Sequence, residues 1–208
     1  MKTTGQAVSV PAEARPATRE AICAACHVKR CCFHYIVAVT GRDIYRILRA
    51  LQVPAQDFLD YCAVADTAPG AFLLEPGGTR YAVVLARRRL PEPLASPCIF
   101  LVRTGDGKAF CGLGELRPGQ CRTHPVVLRD DVIALVNDPQ GCVRTWSYRD
   151  IDMDERRKIR RVLAEEEEYR RIVQQWNAGT EERGAQRTFE EYLSYLVNRY
   201  AAMAEDEQ

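Results

Sequence analysis

The 208-residue sequence has no excess of charge of either sign: 29 Lys and Arg stand against 28 Asp and Glu, a formal net charge of +1. That excludes a strongly basic protein held to nucleic acid mainly by neutralising phosphates, and leaves room only for a local patch. No uninterrupted apolar stretch approaches the ~20 residues that a membrane helix needs. The opening segment carries Pro11, Glu13, Arg15 and Pro16, with no apolar run of the secretory kind. No G-x-S-x-G, H-E-x-x-H, P-loop or G-x-G-x-x-G sequence occurs, so the common routes to nucleophilic catalysis and phosphate binding have no support. Repeats and low-complexity tracts are also absent. With 47% hydrophobic and 27% charged residues, the balance is that of a globular chain of one or two domains. These absences predict a soluble, cytoplasmic protein with neither a membrane nor a nucleic acid as partner.

What the sequence has in abundance is cysteine, nine in all, at positions 23, 26, 31, 32, 62, 98, 111, 121 and 142. In a reducing compartment disulfide frameworks are rare, and clustered thiols more often bind metal or do redox work. The odd count and the adjacent pair Cys31-Cys32 fit a disulfide scaffold poorly, because a vicinal bridge is far from relaxed disulfide geometry. Free cysteine also packs well as a small hydrophobe. Against nine unrelated core thiols stands the clustering, with four cysteines inside the ten residues from Cys23 to Cys32.

Along the chain, residues 1–20 read as a flexible leader, 21–150 as a cysteine-cluster metal-binding domain and 151–208 as a helical C-terminal extension. Thr40 is placed to cap a helix whose apolar face holds Ile44, Ile47, Leu48 and Leu51, with Asp43 in its first turn. Val53-Pro54 breaks it and starts a second helix over 55–62, with Phe58 and Leu59 inward and Cys62 at its end. Residues 65–79 read as a loop and 81–85 as a strand, ended by Arg87-Arg88-Arg89, a solvated edge. The turn Thr104-Gly105-Asp106-Gly107 joins 98–102 to 109–113 as a hairpin, and 126–128 with 132–136 makes a second. From Asp152 a long charged helix buries Ile159, Val162, Leu163, Ile172, Val173 and Trp176. Residues 177–186 form a linker. Thr188-Phe189-Glu190-Glu191 is a capping box for a last helix with Phe189, Tyr192, Leu193, Leu196, Val197 and Tyr200 inside. The expected fold class is therefore α+β, a small cysteine-rich metal-binding core with two β-hairpins and helices, followed by a helical C-terminal region. That region either completes the core, the favoured reading, or offers its helices to a protein partner.

Thiolate is a soft ligand suited to zinc and to iron–sulfur clusters, and Cys23-x2-Cys26 brings two sulfurs together. The expected ligands are Cys23, Cys26, Cys31, Cys32, Cys98, Cys111, Cys121 and Cys142. Side chains of adjacent residues in extended chain point to opposite sides, so Cys31 and Cys32 either feed two sites or divide into one ligand and one core residue. Cys62, remote from the pattern, is the spare thiol, and the eight that remain equal two four-sulfur sites. A four-thiolate zinc or [4Fe–4S] centre carries net negative charge and needs donors and cations nearby, which Arg117 and Arg122, flanking Cys121, would supply to the cofactor.

The order C-x-x-C, Cys31-Cys32, Thr40-Gly41-Arg42-Asp43-Ile44, Cys98-Ile99-Phe100-Leu101 and then Cys111 to Pro125 resembles the YkgJ-type cysteine-cluster family, described as zinc- or iron-chelating. The strongest likeness lies in Cys111, Arg117-Pro118 and Cys121-Arg122-Thr123-His124-Pro125. Three departures stand out. Four residues separate Cys26 from Cys31 where many members have two, Ile99 stands where Pro is common, and Gly114 and His124 stand where aromatics are common. His124 thus reads as a replacement for an aromatic rather than as a ligand. The resemblance extends distantly to flagellin lysine N-methylases, thought to use an iron–sulfur centre, although nothing in this sequence marks a methyl-donor site.

Three other readings are weaker. Cys23-Ala24-Ala25-Cys26-His27 fits the c-type haem attachment motif, which is used outside the cytoplasm. Thioredoxin-like chemistry would put the C-x-x-C after a strand, and 15–22 is no strand. His27 and His34 could each replace a cysteine but rank below the thiols. The sequence therefore predicts a cysteine-ligated metal-binding protein, a chelating or accessory module holding an iron–sulfur cluster, [4Fe–4S] first, or zinc. The alternative is a metal-dependent enzyme such as a lysine N-methylase-like methyltransferase, and enzymatic activity itself is left open.

Overall fold

A computed structural model describes residues 18–88, 96–129 and 132–206. It is an α+β arrangement, as expected. Six α-helices, three small antiparallel sheets and short 3-10 turns follow one another among the described residues. Helices α1 (Arg19–Ala25) and α2 (Cys31–His34) open the fold, and α3 (Gly41–Leu51) follows. Strands β1 (Leu59–Ala63), β2 (Phe72–Leu73) and β3 (Arg80–Leu85) form a sheet in the order β1-β3-β2. The two expected hairpins are present. One is β4 (Leu101–Arg103) with β5 (Ala109–Cys111), in register Leu101 to Cys111. The other, β6 (Val126–Arg129) with β7 (Val132–Leu135), starts from Val126 opposite Leu135. Between them lies α4 (Gly119–Thr123), and α5 (Met153–Arg183) and α6 (Phe189–Asp206) complete the chain.

Local chemistry accounts for most of these boundaries. Thr40 accepts from the Asp43 amide while the Asp43 carboxylate accepts from the Thr40 amide, a reciprocal capping box that starts α3. Asp152 caps α5 in the same way, by accepting from the Glu155 amide, and Gly184 in the left-handed region ends it. The Thr188–Glu191 box is formed as well.

Three expectations on secondary structure and one on burial are corrected. The segment after Pro54 makes only one 3-10 turn, Ala55–Asp57, and then becomes β1, so Cys62 sits on a strand. Pairing with β3 over five residues outweighs the weak helical signal, while Phe58 and Leu59 are buried as foreseen. The 65–79 loop contains β2. The 177–186 linker is largely helix, because Asn177 docks onto β2: its amide donates to the Ala71 carbonyl and its oxygen accepts from the Leu73 amide, both at 2.9 Å. Leu51, expected inside, is exposed at the end of α3.

Residues 18–20, expected to belong to a flexible leader, are part of the fold. Thr18 caps α1, and Arg19 is only 2% exposed, with the rest of the expected leader, 1–17, outside the described residues. The C-terminal helices complete the body. Phe72 stacks on Tyr192 at 4.0 Å, the Trp176 indole donates to the Leu73 carbonyl at 2.7 Å, and Ile44 and Ile47 of α3 share the same core with Leu196 and Tyr200. No helix among the described residues is long and apolar enough to cross a membrane.

Candidate metal centre

The eight cysteines expected as ligands all line one cavity of about 950 Å³. Cys62 does not line it. Five pieces of chain carry these thiols, the first being the stretch from Cys23 to Cys32. Cys23 lies within α1, and Cys26 is the residue that ends it, its amide donating to the Cys23 carbonyl. Lys29 then takes a left-handed backbone, φ 48°, which turns the chain into α2. Cys31 and Cys32 are the first two residues of that helix rather than extended chain. Their side chains therefore project about 100° apart and not on opposite sides, and both reach the cavity. Cys98 donates its amide to the Cys32 carbonyl at 2.8 Å, which ties its segment to α2, and Cys111 closes the open end of the β4–β5 hairpin. Cys121 stands in the middle of α4. Cys142 ends a turn in which its amide donates to the Asp138 carbonyl at 2.8 Å, and its Sγ accepts from the Trp146 indole at 3.4 Å.

Buried polar side chains hold these segments in place. Arg19 forms an ion pair with Glu155 at 2.6 Å and donates to the carbonyls of His124 and Arg122, fastening α1 to the end of α4 and the start of α5. Asp43, 1% exposed, accepts from the Gly119 amide at 3.1 Å and from Arg46 at 2.7 Å, so the capping residue of α3 also anchors the helix carrying Cys121. Arg87 donates to the carbonyls of Ser96, Tyr35 and Phe33, bridging α2 to the segment of Cys98. It is a clamp, not the solvated edge expected of the arginine run; Arg88 donates to the Ile99 carbonyl, and Arg89 lies outside the described residues. Asp138 accepts from Tyr35 at 2.9 Å and pairs with His34 at 3.1 Å, fixing the Cys142 turn against α2. There the chains come so close that a Cβ on Gly141 would stand 2.1 Å from the Tyr35 ring.

The two arginines proposed to support a cofactor separate. Arg117 lines the cavity, its side chain 13% exposed and its Nε donating to the Gly114 carbonyl. Arg122 is not on the wall; its guanidinium pairs with Glu165 at 3.2 Å. Among the cations on the wall that spacing did not single out, Lys29 is buried, 7% exposed, and donates to the Cys23 carbonyl at 2.6 Å; Arg30, Arg144 and Arg170 line the cavity too. Arg19, Arg87 and Asp138 were likewise invisible, since each acts on carbonyls or side chains remote in sequence.

The thiols sense one another. A thiol-to-thiol hydrogen bond with Cys32 pulls Cys31 below the ordinary cysteine range, with the Lys29 charge assisting, and the same contact pushes Cys32 up. Burial raises Cys23, Cys98 and Cys121, and the charge of neighbouring thiolates adds to each. Such a wall resists holding several thiolates at once unless a cation accompanies them, which is the electrostatic condition a bound metal meets. Burial, followed by Arg19, holds His124 below the usual histidine value. As placed, the thiols form a lining and not a cage: among the described residues no three Cys, His, Asp or Glu groups are arranged to hold a metal ion. No family model matches the chain, and neither does any curated protein or solved structure.

Proposed function

We propose that this chain is a cysteine-ligated metal-binding protein, a chelating or accessory module that takes up an iron–sulfur cluster of the [4Fe–4S] kind or zinc. The observation that carries the reading is selective. Eight of nine cysteines, contributed by segments more than a hundred residues apart, line one cavity, and the cysteine left out is the one remote from the motif order. Thiols buried only as small hydrophobes have no reason to share a cavity. The resemblance to the YkgJ-type chelating family rests on the same residues.

Soft thiolate donors fit either group, and the bound group would supply Lewis acidity or electron transfer. The chain's own residues do the rest. Lys29 and Arg117 offset thiolate charge at the wall, and Arg19, Asp43, Arg87 and Asp138 hold the five segments together. Four sulfurs bound to one zinc ion lie about 3.8 Å from each other, so loading must draw the lining inward, and part of the binding free energy is folding free energy.

Anaerobic purification followed by metal and sulfide analysis tests the proposal. Iron with stoichiometric sulfide and a broad visible band indicates the cluster, and a colourless protein holding zinc indicates the other member. Cys121→Ser should lower metal content and stability together, whereas Cys62→Ser should change neither. A chain that retains no metal, or a Cys121→Ser variant indistinguishable from the parent, would overturn it.

A further inference from the structure

Among the described residues six valines, leucines and isoleucines are exposed, and four of them, Val28, Ile36, Val127 and Val143, line the thiol cavity. The other two, Leu51 and Val53, lie at and beyond the end of α3. Val28, Ile36 and Val143 are each more than half exposed. A side chain that both lines a cavity and meets solvent stands at its mouth, so this mouth is aliphatic. Apolar surface gathered in water at one place costs free energy, and such a patch marks a site that something covers.

The interior continues the same chemistry. Leu85, Leu113, Val126, Trp146 and Ile159, all buried, line it together with the cysteines. About 950 Å³ lies near the top of the range of small-molecule sites, whereas close-packed interiors keep few voids larger than a water molecule. Charge on the wall is one-sided. Five cations line the cavity, Lys29, Arg30, Arg117, Arg144 and Arg170, against one carboxylate, Glu166. Three of the five have carboxylate partners: Arg117 in Glu20 at 3.9 Å, Arg144 in Asp150 at 3.0 Å and Arg170 in Glu167 at 2.9 Å. Lys29 is buried and bonded to the Cys23 carbonyl. Arg30 is exposed and forms no ion pair among the described residues. Its guanidinium donates to the Pro139 carbonyl at 3.3 Å, in the turn that leads to Cys142 and Val143. An unpaired cation thus stands among the aliphatic side chains of the mouth.

We infer that the cavity binds an amphipathic anion of the fatty-acid class, its carboxylate held by Arg30 at the mouth and its hydrocarbon chain covered by Val28, Ile36 and Val143 on the way to the buried aliphatic lining. Charge complementarity selects the anion, and the apolar lining selects the chain. A second copy of this protein suits the mouth poorly, because it would bring the same surplus of cations to the contact. The inference goes beyond the metal-binding proposal and does not need it.

The test titrates the full chain, as purified, with the fluorescent fatty acid cis-parinarate. Saturable binding of one molecule per chain is expected, with displacement by laurate. Dodecylamine, of the same chain length and opposite charge, should displace it at least roughly tenfold more weakly. Val143→Asp puts a negative charge at the mouth on a side chain that is already exposed, and should weaken parinarate by roughly tenfold or more. Arg30→Gln should weaken laurate about three- to tenfold. Val53→Asp, exposed but away from the cavity, should change nothing. Absence of saturable binding, equal displacement by dodecylamine, or indifference to Val143→Asp or to Arg30→Gln overturns the inference. So does a chain that sediments with phosphatidylglycerol vesicles and takes up no free fatty acid, which would make the mouth a membrane contact. Metal content of the same samples reads the metal-binding proposal, so either can fail without the other.

Discussion

The two halves of the molecule hold their residues in place by different means. Around β2, α5 and α6 the contacts are dry and aromatic. Tyr192 and Leu196 are completely buried, Phe72 stacks on Tyr192, and the polar tips of Tyr169 and Tyr192 bond to each other at 2.9 Å. Around the cysteine cavity a small second cluster on Val126, Ile151 and Ile159 adjoins the main core, which reaches Cys32, Cys98 and Cys111, and position is set there also by charged side chains reaching distant backbone groups. Dry packing tolerates no opening. Polar clamps around a cavity leave an interior that can contract, and that is the half which carries the thiols. The difference teaches that one half is held by close apolar packing and the other by polar clamps around a cavity, so under the proposed function only the second would gain stability on loading.

The sharpest way to break this comparison is Arg19→Met. It leaves Glu155, 2% exposed, without its cation and should cost about 3–5 kcal/mol in urea unfolding, with metal content per folded chain falling as well. Next, Tyr192→Ala should cost about 3–4 kcal/mol by emptying the aromatic core, yet leave metal per folded chain unchanged. If the tyrosine variant loses metal and the arginine variant keeps it, the division between the halves is wrong. The smallest effect concerns the β4–β5 turn, where the Lys108 ammonium first, and the Thr104 hydroxyl second, hold the Asp106 carboxyl down to about 2. Since the folded value is depressed, this contribution is present above the unfolded carboxylate range and is lost as pH falls through about 2. In Lys108→Ala the carboxyl should titrate closer to its ordinary value by NMR, with denaturation midpoint and metal content unmoved because the group is exposed.

Much of the chain was legible from local rules. The boxes at Thr40 and Thr188, the turn at Gly105-Asp106-Gly107 and the apolar faces of α5 and α6 all depend on residues within a few positions of each other. The errors share a cause. The strand at Leu59–Ala63 and the helical course past Asn177 are set by partners elsewhere in the chain, β3 in one case and β2 in the other. Arg87 in a run of three arginines resembles a surface residue until the carbonyls of Phe33, Tyr35 and Ser96 arrive around it.

By itself, the sequence singled out the eight thiols that line one cavity and the one that does not, because cysteine spacing, turn residues and motif order are properties of the chain. It also determined the α+β class, through hydrophobic period and capping chemistry. Only the tertiary structure decided that Lys29 and not Arg122 faces the cavity and that Arg19 is a buried clamp. The reason is physical. A side chain's role at such a wall is set by burial and by neighbours remote in sequence, and neither exists until the segments have come together.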